Sequence, residues 1–378
     1  MLRFKQFVTE SVLLYESDND AKGKTAEIHT AFALSHHHGI PVADYREKHK
    51  GISSVDAEQK KKLGEKKHQE VKDNTQKIAQ AVTEHIKKHH KVDISKVEKH
   101  SSVAWTSQAG DIGKHTGHDE GQENPSDIII SHHDGKKMRH FGVSIKYGKA
   151  PGLRSPGHKD MQNILNMPDE HRKTISRAQK HISDRVEHEL GGHLLGSTKI
   201  AKKKELKKRI KDHESGKKHD PEVAAAHKKA SDASLAIRSN IISHYHRAFN
   251  NATPAQRAKF VRKMLGAEKS KFTVLKAHYN EKNGKVHVSN PAEEFDKFHK
   301  HVESYHSEHE GDKSGQENKT ATQHTIYAKM KNDHPDGKTW KKGQSVKIFT
   351  HQQKHHSGVF TPVGGNIGAP GAALKGAH

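Results

Sequence analysis

The chain has 378 residues, with 67 Lys and Arg against 45 Asp and Glu, and a net charge of +22 with neutral His. Because only 30% of the residues are hydrophobic, the composition favours one modest core with polar helices around it over several compact domains. Cys is absent, which excludes disulfides, Cys-based zinc sites and Cys nucleophiles, and no apolar run approaches the roughly 18 residues of a membrane span.

The charge favours a polyanionic partner such as nucleic acid, with solubility as the alternative explanation. The 37 His are mostly scattered singles and pairs, a distribution typical of polar surface residues. They would add further positive charge below about pH 6.5. The composition therefore points to nucleic-acid contact rather than to a His-based metal store.

The N-terminal part reads as two helices separated by a polar break. Residues 1–16 predict a short amphipathic helix, and 17–23 predict the break. Residues 24–34 predict a second helix with an apolar face. Glu27 lies at the edge of that face, where a solvated surface residue is the default interpretation. The opening MLRFKQFVTE resembles the start of many proteins of large tailed phages, which implies a phage-encoded protein of the host cytoplasm or the virion.

Residues 55–90 predict a long lysine-rich helical region with an apolar stripe in its C-terminal half. The stripe consists of Val71, Ile78, Val82 and Ile86. Residues 103–105 predict a short strand. The following segment is rich in Gly and acids, and it is either a solvated loop or a loop beside a metal, with Asp111 and Asp119 as reserve ligands.

A hairpin is the clearest pattern in the chain. Asp127 opens the apolar run 128–130, Asp-Gly at 134–135 supplies the turn, and the return strand is 140–147. Strand alternation places Ser144 and Lys146 on one face of that strand. An antiparallel hairpin can therefore bring Asp127 beside Lys146, a carboxylate next to an ammonium.

This hairpin resembles the PD-(D/E)xK nuclease superfamily, which has the restriction-endonuclease-like fold. The matching residues are Asp127, preceded by Pro125-Ser126, and Ser144-Ile145-Lys146; Glu27 matches the helix acid of the family. Two departures are the residue inserted between Pro125 and Asp127, and Ser144 in place of an acid. Some members carry Ser there and recruit an acid from a following helix, for which Asp160 is the nearest candidate.

The resemblance implies a phosphodiesterase that uses Mg²⁺ or Mn²⁺. Asp127 and Glu27, with Asp160 as the recruited acid, would hold the ion. Lys146 would orient the attacking water or stabilise developing charge. Ser144 could hydrogen-bond a water of the ion but cannot replace a carboxylate.

Basic segments follow the hairpin. Residues 149–157 contain two Pro-Gly pairs and are either an ordinary surface loop or a phosphate-contacting loop with Lys149 and Arg154. Helical patterns dominate residues 170–266. A helix at 199–211 has a basic face that either grips a phosphate backbone or is merely solvated. Its candidate contacts are Lys202, Lys203, Lys204, Lys207 and Lys208.

Thr253 and Pro254 predict the N-cap and first position of a helix. Residues 271–289 predict a second hairpin that could extend the central sheet, and 291–310 predict a helix. A polar linker at 311–322, short strands in 323–363 and a flexible tail complete the chain.

The predicted fold is mixed α/β (α+β), a small central mixed sheet flanked by helices with long helical insertions. The predicted domains are an N-terminal helix and linker at 1–23, a nuclease-like core at 24–310 with an insertion at about 170–266, and a C-terminal region at 311–378. The sheet should contain strands at 102–106, 127–132 and 140–147.

The function predicted first is a metal-dependent nuclease acting on nucleic acid, with DNA favoured over RNA and no membrane partner. The first alternative is a basic nucleic-acid-binding or virion protein with a degenerate nuclease fold. The second is an assembly factor whose charge is incidental. The sequence leaves open the specificity, the activity of the Ser144 variant, homodimer formation and a phage structural partner.

Overall fold

The protein has a mixed α+β fold with two β-sheets flanked by helices, which confirms the predicted class. No described helix combines the length and apolarity that a membrane crossing requires. The structure is a computed structural model that describes residues 21–36, 39, 42–43, 51–95, 101–106, 110–118, 124–133, 135–148, 158–178, 180–181, 208–209, 212–213, 220–225, 229, 235–309, 323–353 and 360–363.

The chain forms two compact units, and both are discontinuous in sequence. The first unit comprises Met1–Gly152 and Gly266–Glu294. The second comprises Leu153–Leu265 and Phe295–His378. The chain thus leaves the first unit and returns to it before it ends.

The first unit contains a six-stranded mixed sheet. Its strands are β1 (Val42–Ala43), β2 (Ser102–Trp105), β3 (Ile128–His133), β4 (Met138–Gly148), β5 (Thr273–Asn280) and β6 (Lys285–Ser289), in that spatial order. The β1–β2 and β4–β5 pairs are parallel, whereas the other three pairs are antiparallel. The three strands predicted for this sheet are confirmed, as is the second hairpin that extends it.

The registers of β3, β4 and β5 determine which residues lie beside one another at the candidate site. Ile128 of β3 pairs with Val143 of β4, and Ser144 of β4 pairs with Lys276 of β5. Gly135 has a φ of 82°, so the first hairpin turns through a residue for which the left-handed conformation is accessible. Residues 149–272 separate the two parallel neighbours β4 and β5 along the chain.

Four helices accompany the sheet: residues 21–36 (α1), Ile52–Leu63 (α2), Glu65–His90 (α3) and Asp111–Thr116 (α4). The predicted long helical region is interrupted between α2 and α3 by Gly64, whose φ of 77° is left-handed.

The core of the first unit lies on one face of this sheet. The predicted stripe of α3 is buried there, and α1 contributes Ile28 and Leu34. Alternate residues of β2 to β5, such as Trp105, Val143 and Leu275, complete the cluster. Burial of this apolar surface is the main source of stability for the arrangement.

The second unit contains a four-stranded antiparallel sheet in the order β10-β9-β8-β7. Its strands are β7 (Val302–His309), β8 (Gln323–Met330), β9 (Ser345–Gln353) and β10 (Phe360–Val363). Its helices include α5 (His158–Ile164), helical residues 169–178, α6 (Leu235–Asn251) and α7 (Pro254–Met264). Helix α8 (Pro291–His299) contains the boundary between the two units.

The start of α7 confirms the predicted cap. The hydroxyl of Thr253 accepts a hydrogen bond from the backbone N–H of Gln256, and the Gln256 side chain accepts one from the Thr253 N–H. Pro254 occupies the first turn, where its missing N–H costs nothing.

Three local predictions are wrong. Residues 302–309 form β7 instead of continuing the helix of 291–310, which ends at His299. Residues 21–23 belong to α1 instead of a polar break, and 111–116 form α4 inside the predicted acidic loop. The helix at 1–16 and the linker at 311–322 lie outside the described residues.

Candidate active site

Asp127 is held by its backbone at the start of β3. Its N–H donates to the carbonyl of Val143 in β4 at 2.9 Å, and its carbonyl accepts from the N–H of Thr106, after β2, at 2.9 Å. The residue is therefore fixed between the end of β2 and the middle of β4. Its backbone cannot shift far without breaking these two bonds.

The Asp127 carboxylate meets three consecutive residues of β4 through one oxygen. Oδ2 accepts the backbone N–H of Ile145 at 2.7 Å and the hydroxyl of Ser144 at 3.3 Å. The Nζ of Lys146 lies 3.7 Å from the same oxygen. Ile145 is two residues beyond Val143, the last β4 residue paired with β3, and its N–H takes a carboxylate partner in place of a strand carbonyl.

Glu27 enters from helix α1. Its Oε2 accepts from Lys24 Nζ at 2.7 Å and from the Trp105 indole N–H at 3.4 Å, and only 9% of the residue is exposed. Burial, followed by the negative charge of Asp127, raises the pKa of the Glu27 carboxyl to about 7, against the opposing charges of Lys24 and Lys146. The charge of Asp127 is thus close enough to influence the ionisation of Glu27.

The structure adds a second lysine on the β5 side. Lys276 is the register partner of Ser144, so it lies on the face that carries Ser144 and Lys146. Burial, followed by the charge of Lys146, lowers the pKa of Lys276 to about 8. An ammonium with a lowered pKa is a common feature of functional sites, although structural networks also produce it.

The structure therefore brings together four residues selected from the sequence: Glu27, Asp127, Ser144 and Lys146. Sequence reasoning missed Lys24, Trp105 and Lys276. The alternation within residues 271–279 indicates a strand, and Lys276 has a definite face on it. Its neighbour across the sheet depends on a pairing between distant segments, for which the sequence carries no local signal.

The remaining candidates belong to other elements of the fold. Asp160 is on α5 in the second unit, where its carboxylate is 3.8 Å from Lys263 Nζ. Asp111 is buried at the start of α4, and Lys208 is exposed in a helical segment. The other predicted contacts and ligands fall outside the described residues: Asp119, Lys149, Arg154, Lys202, Lys203, Lys204 and Lys207.

The donor set suits a small hard cation. Among the described residues, the hydrogen bonds and ion pairs of the Asp127 carboxylate all fall on Oδ2, and those of the Glu27 carboxylate all fall on Oε2. The second oxygen of each carboxylate can therefore act as a ligand. Mg²⁺ takes one or two protein carboxylates and keeps several waters, so these two acids fit it.

Three comparisons with known proteins were made for the whole chain. A scan of protein-family models, a search of curated proteins and a search of solved structures each gave no significant match.

Proposed function

We propose that the chain is a Mg²⁺-dependent (or Mn²⁺-dependent) nuclease whose active site is formed by Asp127, Glu27, Ser144 and Lys146. The observation that carries the proposal is the position of Lys146 Nζ, 3.7 Å from an Asp127 oxygen that also accepts the Ile145 N–H. Metal-dependent cleavage of a phosphodiester requires a fixed carboxylate beside an ammonium, and Asp127 and Lys146 provide this pair. The PD-(D/E)xK resemblance, including Glu27 on a preceding helix, supports the same assignment.

The roles follow from charge and position. A divalent ion held by Asp127 and Glu27 would polarise the scissile phosphate and lower the pKa of a bound water. Lys146, 36% exposed, would orient that water or neutralise charge that develops on the phosphate. The Ile145 N–H would hold Asp127 in place through Oδ2 while Oδ1 of Asp127 binds the ion.

Nucleic acid is the substrate class that the whole chain favours. The net charge is +22, and neutralising phosphates with Lys and Arg releases counterions, which drives binding. Double-stranded DNA is proposed in preference to single-stranded RNA, because a duplex carries more charge per unit length than a single strand.

A second function, nucleic-acid binding without cleavage, is favoured by two specific observations. Ser144 occupies the position of an acid in most of the resembling family, and it offers a neutral hydroxyl. Lys24 Nζ is also paired with Glu27 at 2.7 Å, which offsets part of the negative charge that would attract a cation. Both features weaken metal binding relative to a site with three free acids.

The deciding experiment is a cleavage assay on plasmid, single-stranded DNA and RNA with Mg²⁺, Mn²⁺ or EDTA. Asp127→Asn keeps an oxygen that can accept the Ile145 N–H, so it removes the charge with little loss of structure. Asp127→Asn should abolish metal-dependent cleavage while DNA binding is kept or strengthened. Lys146→Ala should lose cleavage and some affinity.

The matched control is Asp73→Asn, which removes the same charge from a residue on α3 whose carboxylate bonds only an exposed Gln69 among the described residues. It should cut as the wild type does. If the wild type binds but never cuts, the binding function stands in place of the nuclease. If Asp127→Asn cuts as well as the wild type, the proposed site is wrong.

Ser144→Asp separates the two functions further. In an active enzyme the added acid should be tolerated or should change the preference between Mg²⁺ and Mn²⁺. In a degenerate enzyme it should raise cleavage above that of an inactive wild type.

A further inference from the structure

A second group of potential ligands lies within the helices of the first unit. His29 of α1 and His68 of α3 each place Nε2 against the same oxygen of Asp56 in α2, at 2.9 and 2.8 Å respectively. The two rings meet edge to face, with centroids 5.3 Å apart. Three helices thus contribute one ligand-type atom each, and these atoms lie within 4.8 Å of one another.

The two imidazoles of this group are buried, whereas its carboxylate is partly exposed to solvent. The side chains of His29 and His68 are only 9% and 7% exposed, whereas that of Asp56 is 22% exposed. The imidazoles are therefore held within the helical layer, and the carboxylate marks a side that water can reach. An ion could therefore reach this ligand set from the solvent side of Asp56.

The separations require little adjustment. Metal–ligand bonds of about 2.0–2.1 Å in a tetrahedral zinc site place neighbouring ligand atoms about 3.3–3.4 Å apart. The two N–O separations are 2.9 and 2.8 Å, so each must open by about half an ångström. Side-chain rotations of that size are feasible without movement of the helices.

The ligand types select the metal. Two imidazole nitrogens and one carboxylate oxygen suit Zn²⁺ and other borderline transition ions, whereas Mg²⁺ prefers an all-oxygen set. On binding, Nε2 of each ring must carry no proton, so each neutral ring would be in the tautomer whose single proton is on Nδ1.

We propose that His29, Asp56 and His68 form a Zn²⁺ site that joins α1 to the α2–α3 pair, with water as the fourth ligand. Its role is structural. His29 is two residues beyond Glu27, so the ion would also fix the helix that presents Glu27 to Asp127. The proposal stands independently of the nuclease assignment, because its ligands are different residues and its ion is of a different class.

The test uses the full chain, stripped with a chelator and titrated with Zn²⁺ against a chromophoric competitor. Scattered His will bind Zn²⁺ weakly, so the signal is one tight equivalent above that background. Loss of an outer-shell partner alone costs about 10–100-fold in affinity. Removal of two direct ligands in His29→Ala/His68→Ala should therefore weaken this equivalent by more than about 100-fold.

The matched control is His171→Ala/His244→Ala, which removes another close pair of rings, 4.8 Å apart, from the second unit. This control should keep the tight equivalent. Asp127→Asn should also keep it, which separates this site from the carboxylate site, and excess Mg²⁺ should not displace the Zn²⁺.

Folding must be checked because both His side chains are buried. Asp56→Asn preserves size and keeps an oxygen acceptor, and its far-ultraviolet circular dichroism without metal should match the wild type. Zn²⁺ should raise the melting temperature of the wild type and of the control pair, and it should raise that of Asp56→Asn much less. A wild type without a tight equivalent, or a tight equivalent that survives in Asp56→Asn and in the double variant, would overturn the proposal.

Discussion

Gly142→Ala is the substitution whose consequence the structure defines most sharply. Gly142 lies in β4 directly over Ser126, the residue before Asp127. A Cβ at position 142 would lie 2.0 Å from Ser126 Oγ, 3.0 Å from Ser126 Cβ and 3.0 Å from Phe272 Cε2. Glycine is required here by space alone, and either Ser126 or the strand must move to admit a methyl group.

The cost can be worked from these contacts. Rotation of Ser126 away from the new methyl breaks its 2.6 Å hydrogen bond to Asn124 Oδ1, a loss of about 0.5–1.5 kcal/mol. The contacts with Ser126 Cβ and Phe272 remain, and overpacking of this kind costs about 1–3 kcal/mol. Gly142→Ala should therefore lower the free energy of unfolding of the first unit by about 2–3 kcal/mol.

Urea denaturation followed by fluorescence is the assay. The chain has two Trp, so a Trp340→Phe background leaves Trp105 as the reporter of the first unit. Ser126→Ala removes the closest atom and should cost about 1 kcal/mol alone. In the Gly142→Ala/Ser126→Ala double variant, the loss of unfolding free energy should be about 1 kcal/mol smaller than the sum of the two single losses.

Two results would refute this reasoning. One is a Gly142→Ala variant within about 0.5 kcal/mol of its parent, the range of an ordinary surface substitution. The other is strict additivity in the double variant, since it would mean that Ser126 is not the obstacle.

Three further predictions follow. Burial, with smaller effects of His246 and His309, lowers the pKa of His324 to about 3; its contribution to stability is therefore full above its unfolded pKa of about 6.5 and is lost as the pH falls. From pH 7 to about pH 5 this loss is about 2 kcal/mol. His324→Leu should remove this loss from the pH dependence of the unfolding free energy measured in urea. An unchanged pH dependence would contradict the assignment. Thr253→Ala should destabilise α7 by about 1 kcal/mol in thermal unfolding through loss of the capping box, and a stability equal to wild type would argue against the cap. Neutralising Lys202, Lys203, Lys204, Lys207 and Lys208 should reduce the slope of log K against log salt for DNA binding by up to about 4, and an unchanged slope would mean that this stretch is only a solvated face.

Contacts within short chain segments were predictable from the sequence. The approach of Lys146 to Asp127 follows from one hairpin whose turn and alternation are both encoded within about 20 residues. The stripe of α3 and the cap at Thr253 have the same local character. For these elements, propensity, pattern and turn chemistry agree.

Contacts between distant segments were not predictable. Lys276 joins the candidate site through a parallel pairing of β4 with β5, and His29, Asp56 and His68 meet only after three helices pack. In β7 the register shifts between Val302 and Ser304, so the alternation that would mark a strand is broken. Ser307 is buried there and forms hydrogen bonds with His246 and Asn250 of α6, which no local pattern indicates.

The parallel pairing of β4 with β5 also has a consequence for synthesis on the ribosome. β4 is complete at Gly148, but its partner begins at Thr273. Translation at about 5–20 residues per second takes about 6–25 s to produce the intervening segment. For that time the nascent sheet presents an open strand edge, which is a template for wrong pairing. The central sheet can be completed only after nearly three quarters of the chain has been synthesised. Premature termination between β4 and β5 would therefore release a product in which the edge of β4 is uncovered.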